Sequence, residues 1–315
     1  MPNKSLKIYV AGHKGLVGSA IVRHIESVGQ HTWLGSSKDQ LDLRDRTAVF
    51  EFMDQHKPDA VIIAAAKVGG MYANIEFPVE FLSDNIQIQT NLMDAAHKFD
   101  VENLVFLGSS CIYPKFAKQP ISEDSLLTGP LEETNIAYSI AKIAGLKLVQ
   151  AYRAEYGRTW TSAMPTNLYG PGDNFDPQSS HVLPAWLRKF HAASLFGAES
   201  VTLWGTGNPR REFLHVDDLA KAVLFLLQGY DEATAINVGT GVDLEIRELA
   251  SLISQLTGYQ GQIKWDTSKP DGTPQKLLDV GRINNLGWTS EITLDQGLKT
   301  TYEWFVASLA AGNLP

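Results

Sequence analysis

Two side chains four residues apart, Tyr138 and Lys142 in the run Tyr138-Ser-Ile-Ala-Lys142, could together deliver a proton to a carbonyl oxygen. On a helix, positions i and i+4 share one face. An ammonium beside a phenol lowers the phenol's pKa, so a tyrosine so placed can act as the acid while a ketone is reduced. Ser109 and Ser110 close a strand-like run upstream, where a hydroxyl could hold the same oxygen. A Tyr/Lys pair alone is common on helix surfaces. It gains weight from Val10-Ala-Gly12-His-Lys-Gly15-Leu-Val-Gly18, which sets GxxGxxG between a strand-like run and a helical one. There the first glycines permit a tight turn and close approach of backbone N–H groups to a pyrophosphate. The last lets helix and strand pack closely, and the helix N-terminus favours the anion.

The residues after the second strand-like run choose between dinucleotides. NAD-binding folds usually place a carboxylate there for the ribose 2′-hydroxyl. This chain has Gly35-Ser-Ser-Lys38 instead, with Lys14 inside the glycine turn. Two cations and two hydroxyls suit a 2′-phosphate, so NADP(H) is the expected cofactor. Asp39 and Asp42 lie nearby and leave NAD open.

The elements that must position these groups follow from the pattern. Residues 6–11, 32–34, 60–64, 104–107 and 161–164 read as strands. Val17, Ala20, Ile21, Ile25 and Val28 recur at helical spacing, with Gly29 as C-cap. Alternation of this kind predicts a Rossmann-type doubly wound parallel sheet. Residues 167–177 read as loop, 184–190 as helix, 200–204 as strand followed by another loop, 217–228 as helix and 235–238 as strand. Short helices and loops are expected from there to the end. The chain then divides into a dinucleotide-binding domain (1–168 and 213–240) and a smaller α/β substrate-binding lobe (169–212 and 241–315). In the helix expected over 138–156, Ile140, Ile143, Ala144, Leu146, Leu148, Val149 and Tyr152 surround much of the circumference. Such a helix is buried on more than one side, which predicts a homodimer, with burial under the second lobe as the other possibility.

Composition limits the partners. Of 315 residues 44% are hydrophobic and 20% charged, enough for a large core, and the net charge is −8 with no basic run. Nucleic acid and anionic membrane surfaces are therefore not expected partners, and no apolar stretch approaches a membrane span or a signal peptide. A lone cysteine, Cys111, rules out an intrachain disulfide and fits the reducing cytoplasm. No metal is expected, because the eight histidines are scattered and no HExxH or cysteine pair occurs.

Over essentially its full length the chain resembles the extended short-chain dehydrogenase/reductase superfamily. Besides the glycine turn and the Tyr/Lys pair, it carries Asn167-Leu-Tyr-Gly-Pro, Arg211-Glu-Phe-Leu-His-Val-Asp-Asp218 and Asn237-Val-Gly-Thr-Gly241. Within that superfamily it is similar to the GDP-L-fucose synthases, the 3,5-epimerase-4-reductases of GDP-4-keto-6-deoxy-D-mannose. The likeness rests on Ala64-Ala-Ala-Lys-Val-Gly-Gly70, Gly108-Ser-Ser-Cys-Ile-Tyr-Pro114, Met164-Pro-Thr-Asn-Leu-Tyr-Gly-Pro171 and Lys269-Pro-Asp-Gly-Thr-Pro274. The 4,6-dehydratase relatives carry residues suited to dehydration, including a Glu, around Ser110 and Cys111. A 4-reductase or 4-epimerase of the same superfamily is the alternative, and it needs no base such as Cys111.

The resemblance implies Ser109, Cys111, Tyr138, Lys142 and His181 as catalytic residues, with Cys111 as base and His181 as acid in epimerisation. Taken alone, a single cysteine is more often an inert buried residue. The resemblance further implies cofactor contacts from Gly12, Lys14, Gly15, Leu16, Val17, Gly18, Lys38, Asp42, Leu43, Leu107, Gly108, Tyr138, Lys142, Pro165, Asn167, Leu168 and His181. Ser109, Asn167, Lys189, Trp204, Arg211 and Asp271 are the implied contacts to a GDP-sugar. Lysine stands at 14, 38 and 189, where arginine is the family's alternative, and it lacks the bidentate fork.

Overall fold

The structure, a computed structural model, describes residues 4–176, 179–269 and 271–312. The first three residues, Pro177 at the end of the expected loop, and Pro270 within Lys269–Pro274 lie outside the described residues.

In chain order the first half runs β1 (Lys7–Ala11), α1 (Leu16–Val28), β2 (Thr32–Leu34), α2 (Arg46–His56), β3 (Ala60–Ile63), α3 (Met71–Glu76), α4 (Pro78–Lys98), β4 (Asn103–Leu107), α5 (Ile136–Tyr156) and β5 (Thr161–Pro165). The second half runs β6 (Asn167–Tyr169), α6 (Val182–Leu195), β7 (Ser200–Trp204), β8 (Arg210–His215), α7 (Val216–Gly229), β9 (Ile236–Val238), β10 (Asp243–Glu245), α8 (Ile246–Leu256), β11 (Gln262–Asp266), β12 (Gln275–Lys276), α9 (Gly281–Asn285) and α10 (Leu294–Ala310).

A six-stranded sheet in the order β2-β1-β3-β4-β5-β9 is parallel throughout. Strands covered on both faces need unbroken apolar runs; Ala60-Val-Ile-Ile63 is such a run, and all four residues are fully buried. Ala20, Ile21 and Ile25 of α1 and Leu219, Val223 and Leu226 of α7 pack on one face. Val49 and Met53 of α2, Leu92 and Ala96 of α4, and Val149 of α5 pack on the other. This is the doubly wound arrangement that the strand–helix alternation predicts. From β1 the chain steps to β2 on one side while β3 pairs on the other, so the turn after β1 opens at the topological switch point.

That turn needs its glycines. Gly12 has φ of +86°, and a Cβ there would lie 2.8 Å from the Ala65 backbone, just past β3. A Cβ at Gly18 would come within 2.0 Å of the Gly12 carbonyl oxygen, so α1 can approach β1 only with glycine at that position.

The second half of the chain departs from the sequence expectation in three places. The start of the expected loop at 167–177 is strand β6, parallel to β8. The loop expected after residue 204 contains β8, which also pairs with β10 and β12. These strands are short and their partners are distant in sequence, so pairing rather than local propensity defines them. The tail is also more regular than short helices and loops: α10 has 17 residues, and Thr293 and Gln296 close a capping box at its start. Phe190, Leu249, Ile253 and Phe305 anchor a separate core here. Ile283 and Trp288, by contrast, return to the core under the large sheet.

Candidate active site

Four of the implied catalytic side chains meet where β4 ends and α5 begins. Beyond β4, Ser109 starts a single turn of 3-10 helix, and its hydroxyl accepts a hydrogen bond from the Cys111 amide at 3.2 Å. Across from it Tyr138 hydrogen-bonds with Ser109. One helical turn on, Lys142 is buried, with its ammonium donating to the Leu107 carbonyl at 2.8 Å and lying 5.7 Å from the Tyr138 ring centre.

The electrostatics of the pair differ from the sequence expectation. Burial brings the Lys142 ammonium down to about 7, so near neutral pH its charge is only partial. Burial, and after it the charge of Cys111, push the Tyr138 phenol above its ordinary value, against the Ser109 hydrogen bond. Tyr138 therefore keeps its proton in this state, as a donor must.

Cys111 is half-buried. Burial raises its thiol, yet the net direction is downward, because the Lys276 ammonium and hydrogen bonds from Ser109, Lys276 and Asn135 outweigh it. Asn135 Nδ2 and Lys276 Nζ each lie 3.4 Å from Sγ. His181 is the N-cap residue of α6 and is exposed. Burial and then the Lys276 charge hold its imidazole below the usual range. A small cavity of about 30 Å³ runs beside Cys111, bounded by Glu132, Asn135, Thr273 and Lys276. That is room for about one water.

The remaining expected residues fall into two groups. Around the glycine turn, Gly12, Gly15 and Gly18 shape the start of α1, whose N-cap Gly15 supplies no side-chain partner for the first helical amides. Leu16 and Val17 pack against the sheet core, Leu43 packs on the opposite face, and Lys14 and Lys38 are exposed. Asp42 is taken by Arg44, with contacts of 2.7 to 3.2 Å that hold its carboxyl at about 2, so it is fixed as an anion. Leu107, Gly108, Pro165 and Leu168 line the ends of β4, β5 and β6, and Asn167 donates to the Glu212 carbonyl at 2.7 Å.

In the second lobe, Lys189 donates to the Thr202 carbonyl at 2.5 Å. Trp204 is 62% exposed, its ring carrying the Lys269 ammonium at 5.4 Å. Asp271 accepts from the Thr206 amide and hydroxyl at 2.7 and 2.8 Å. The Arg211 guanidinium feels the charges of Cys111, Glu132 and Asp271, although burial dominates and lowers it. Arg211 thus joins the catalytic cluster, whereas Lys189 and Trp204 stand apart on an open surface.

Lys276 and Asn135 were not foreseen. Nothing in the local sequence marks Lys276, which reaches the site only because β12 lies parallel to β8 in register with Arg211. Among the described residues, no group of three or more His, Cys, Asp or Glu could hold a metal ion.

With this geometry in place, comparison with known proteins is specific. The profile of the NAD dependent epimerase/dehydratase family matches residues 8–239. GDP-L-fucose synthase 1 of Arabidopsis thaliana is 53% identical over 309 residues, covering 98% of this chain and 96% of that protein. GDP-L-fucose synthase of Escherichia coli K12 is 52% identical over 309 residues, covering 95% and 96%. A crystal structure of a GDP-L-fucose synthetase from Naegleria fowleri bound to NADP superposes with a TM-score of 0.90 at 28% identity, covering 99% of this chain and 97% of that one. The chain belongs to the NAD dependent epimerase/dehydratase family, and within it to the GDP-L-fucose synthases.

Proposed function

We infer that this enzyme converts GDP-4-keto-6-deoxy-D-mannose to GDP-L-fucose, by epimerisation at C3 and C5 followed by NADPH-dependent reduction at C4. One observation carries the reading: a cysteine disposed toward its thiolate shares a cluster with the Ser109, Tyr138 and Lys142 of a carbonyl reductase. A simple 4-reductase or 4-epimerase has no use for that cysteine.

The 4-keto group acidifies the hydrogens on C3 and C5. Cys111 removes each as a proton, and His181 returns a proton to the opposite face. Ser109 and Tyr138 hold the enolate oxygen that develops in between. Tyr138 then protonates the C4 oxygen during reduction, and Lys142 supports the phenol. Arg211, Lys189, Trp204, Asp271 and Asn167 bind the GDP-sugar.

The glycine turn fits a dinucleotide, since Gly12 and Gly18 let α1 start close against β1 and the first amides of α1 have no side-chain cap. Gly12, Gly15, Leu16, Val17 and Gly18 would hold the pyrophosphate. Lys14 and Lys38 would face the 2′-phosphate, and the segments at Asp42–Leu43, Leu107–Gly108, Pro165–Leu168 and His181 would enclose the rest. When bound, NADPH supplies the hydride that reaches C4.

The reading includes a cytoplasmic homodimer. Ile136 and Ile140 are exposed one turn apart on α5, and Ile86 is exposed on the neighbouring α4, an apolar face suited to a second copy. No helix among the described residues is long and apolar enough to cross a membrane.

Substrate-dependent NADPH oxidation by the purified protein tests the function, with NADH expected to serve much less well. No oxidation with either cofactor rejects it. The epimerase half has a pH signature. Exchange of substrate hydrogens with solvent needs the Cys111 thiolate together with the His181 imidazolium, so the rate falls in acid as the thiolate is protonated and in alkali as the imidazolium is lost. Both groups are shifted downward. The expected bell therefore lies to the acid side of one bounded by free imidazole and free thiol, at about 6.5 and 8.5. An alkaline limb at or above the free-thiol value counts against it.

A further inference from the structure

We propose that Lys276 is the positioning residue that holds Cys111 as a thiolate; the proposal rests on the reading of Cys111 as the epimerisation base. Two nitrogen donors converge on one sulfur, Lys276 Nζ and Asn135 Nδ2, each at 3.4 Å. A lysine ammonium has donors and no acceptor, so this pair matches the lone pairs of S⁻ and offers nothing to an S–H proton. The Ser139 hydroxyl, which donates to the Cys111 carbonyl at 2.9 Å, lies 3.3 Å from Asn135 Oδ1 and ties Asn135 to the Cys111 turn.

Lys276 is held there by its backbone. The Leu277 amide donates to Gln119 Oε1 at 2.9 Å, and the Leu277 carbonyl accepts from the Ile121 amide at 2.8 Å. The Leu278 amide donates to buried Glu212 at 3.0 Å. Other charged groups around the sulfur do not replace Lys276. Arg211 on β8 is a more distant cation, felt only through its charge, and Tyr138 on α5 is neutral. Glu132, on the same small cavity, is occupied by Lys115 at 3.2 Å and by Thr273. The imidazole of His181 on α6 feels the same Lys276 charge, which makes it readier to release its proton. One cation thus populates the basic form of Cys111 and makes His181 the stronger acid. When the thiolate takes a proton from C3 or C5, the thiol forms and the ammonium keeps its own protons.

Cys111 is the only cysteine of the chain, so alkylation of the intact protein by iodoacetamide across a pH series titrates this thiol alone. The wild-type inflection is expected below the free-cysteine value of about 8.5. Lys276→Met should raise it by about one pH unit or more, roughly a tenfold loss of thiolate at neutral pH, while Lys276→Arg keeps it low. A wild-type inflection at or above the free-thiol value overturns the proposal without any variant, so a Met variant that fails to fold does not shield it. An unchanged inflection in a folded Met variant, verified by NADPH binding, overturns it as well. Exchange of the C3 and C5 hydrogens should fall with the thiolate. If the inflection moves and exchange does not, Cys111 is not the base, although Lys276 still governs its ionisation.

Discussion

Replacing Cys111 with serine is expected to slow exchange of the C3 and C5 hydrogens of GDP-4-keto-6-deoxy-D-mannose with heavy water by roughly 10²–10⁴-fold, the range for loss of a positioned general base. The substitution is nearly isosteric and leaves Lys276, Asn135 and Ser109 in place. What it removes is acidity: even with a cation beside it, an aliphatic hydroxyl does not ionise near neutral pH. NADPH binding should be unaffected, because Cys111 is not among the residues placed around the cofactor. Mass spectrometry of recovered substrate reads the exchange. Incorporation at the wild-type rate would assign the base to another group, with His181 as the next to examine.

Tyr138→Phe should divide the two halves of the reaction the other way. Reduction at C4 leaves an alkoxide that must be protonated as the hydride arrives, and the phenol, raised by burial and still holding its proton, is the donor beside Ser109. Phenylalanine keeps the ring and its edge-to-face contact with Phe81, at 6.3 Å between centres, and removes only the hydroxyl. NADPH consumption should fall roughly 10²–10⁴-fold. Exchange at C3 and C5 should persist at a reduced rate, because Ser109 still supports the enolate oxygen and Cys111 is untouched. Normal NADPH consumption in this variant would give the proton to another group.

The large parallel sheet and its glycine turn are more legible in the sequence than the smaller sheets, for a physical reason. Gly12 and Gly18 announce themselves because backbone clearance leaves no other choice of residue. The apolar strands of the large sheet are legible because burial on both faces removes polar residues. Tyr138 and Lys142 are readable because helical spacing alone brings them together. Lys276 is not, since β12 is two residues long and its partner β8 lies far back in the chain. The same limit concealed β6. The shift at Tyr138 runs opposite to the lowering expected from Lys142, because the burial that weakens the Lys142 charge and raises the phenol is a property of packing. For α10 the signal existed in Thr293-Leu-Asp-Gln296 and was overlooked.

The late arrival of β9 has a consequence for biosynthesis. While the ribosome is delivering the first half of the chain, β5 is the outer edge of the parallel sheet, with its hydrogen-bonding groups unpaired until Ile236–Val238 emerges. The sheet face that α7 covers is bare over the same interval, because Leu219, Val223 and Leu226 have not yet been made. A nascent chain halted there shows both an open edge and an apolar face, the two features that draw growing chains into aggregation or onto chaperones. The large sheet therefore cannot be completed as the first segment off the ribosome; it waits for a strand encoded after α6, β7, β8 and α7.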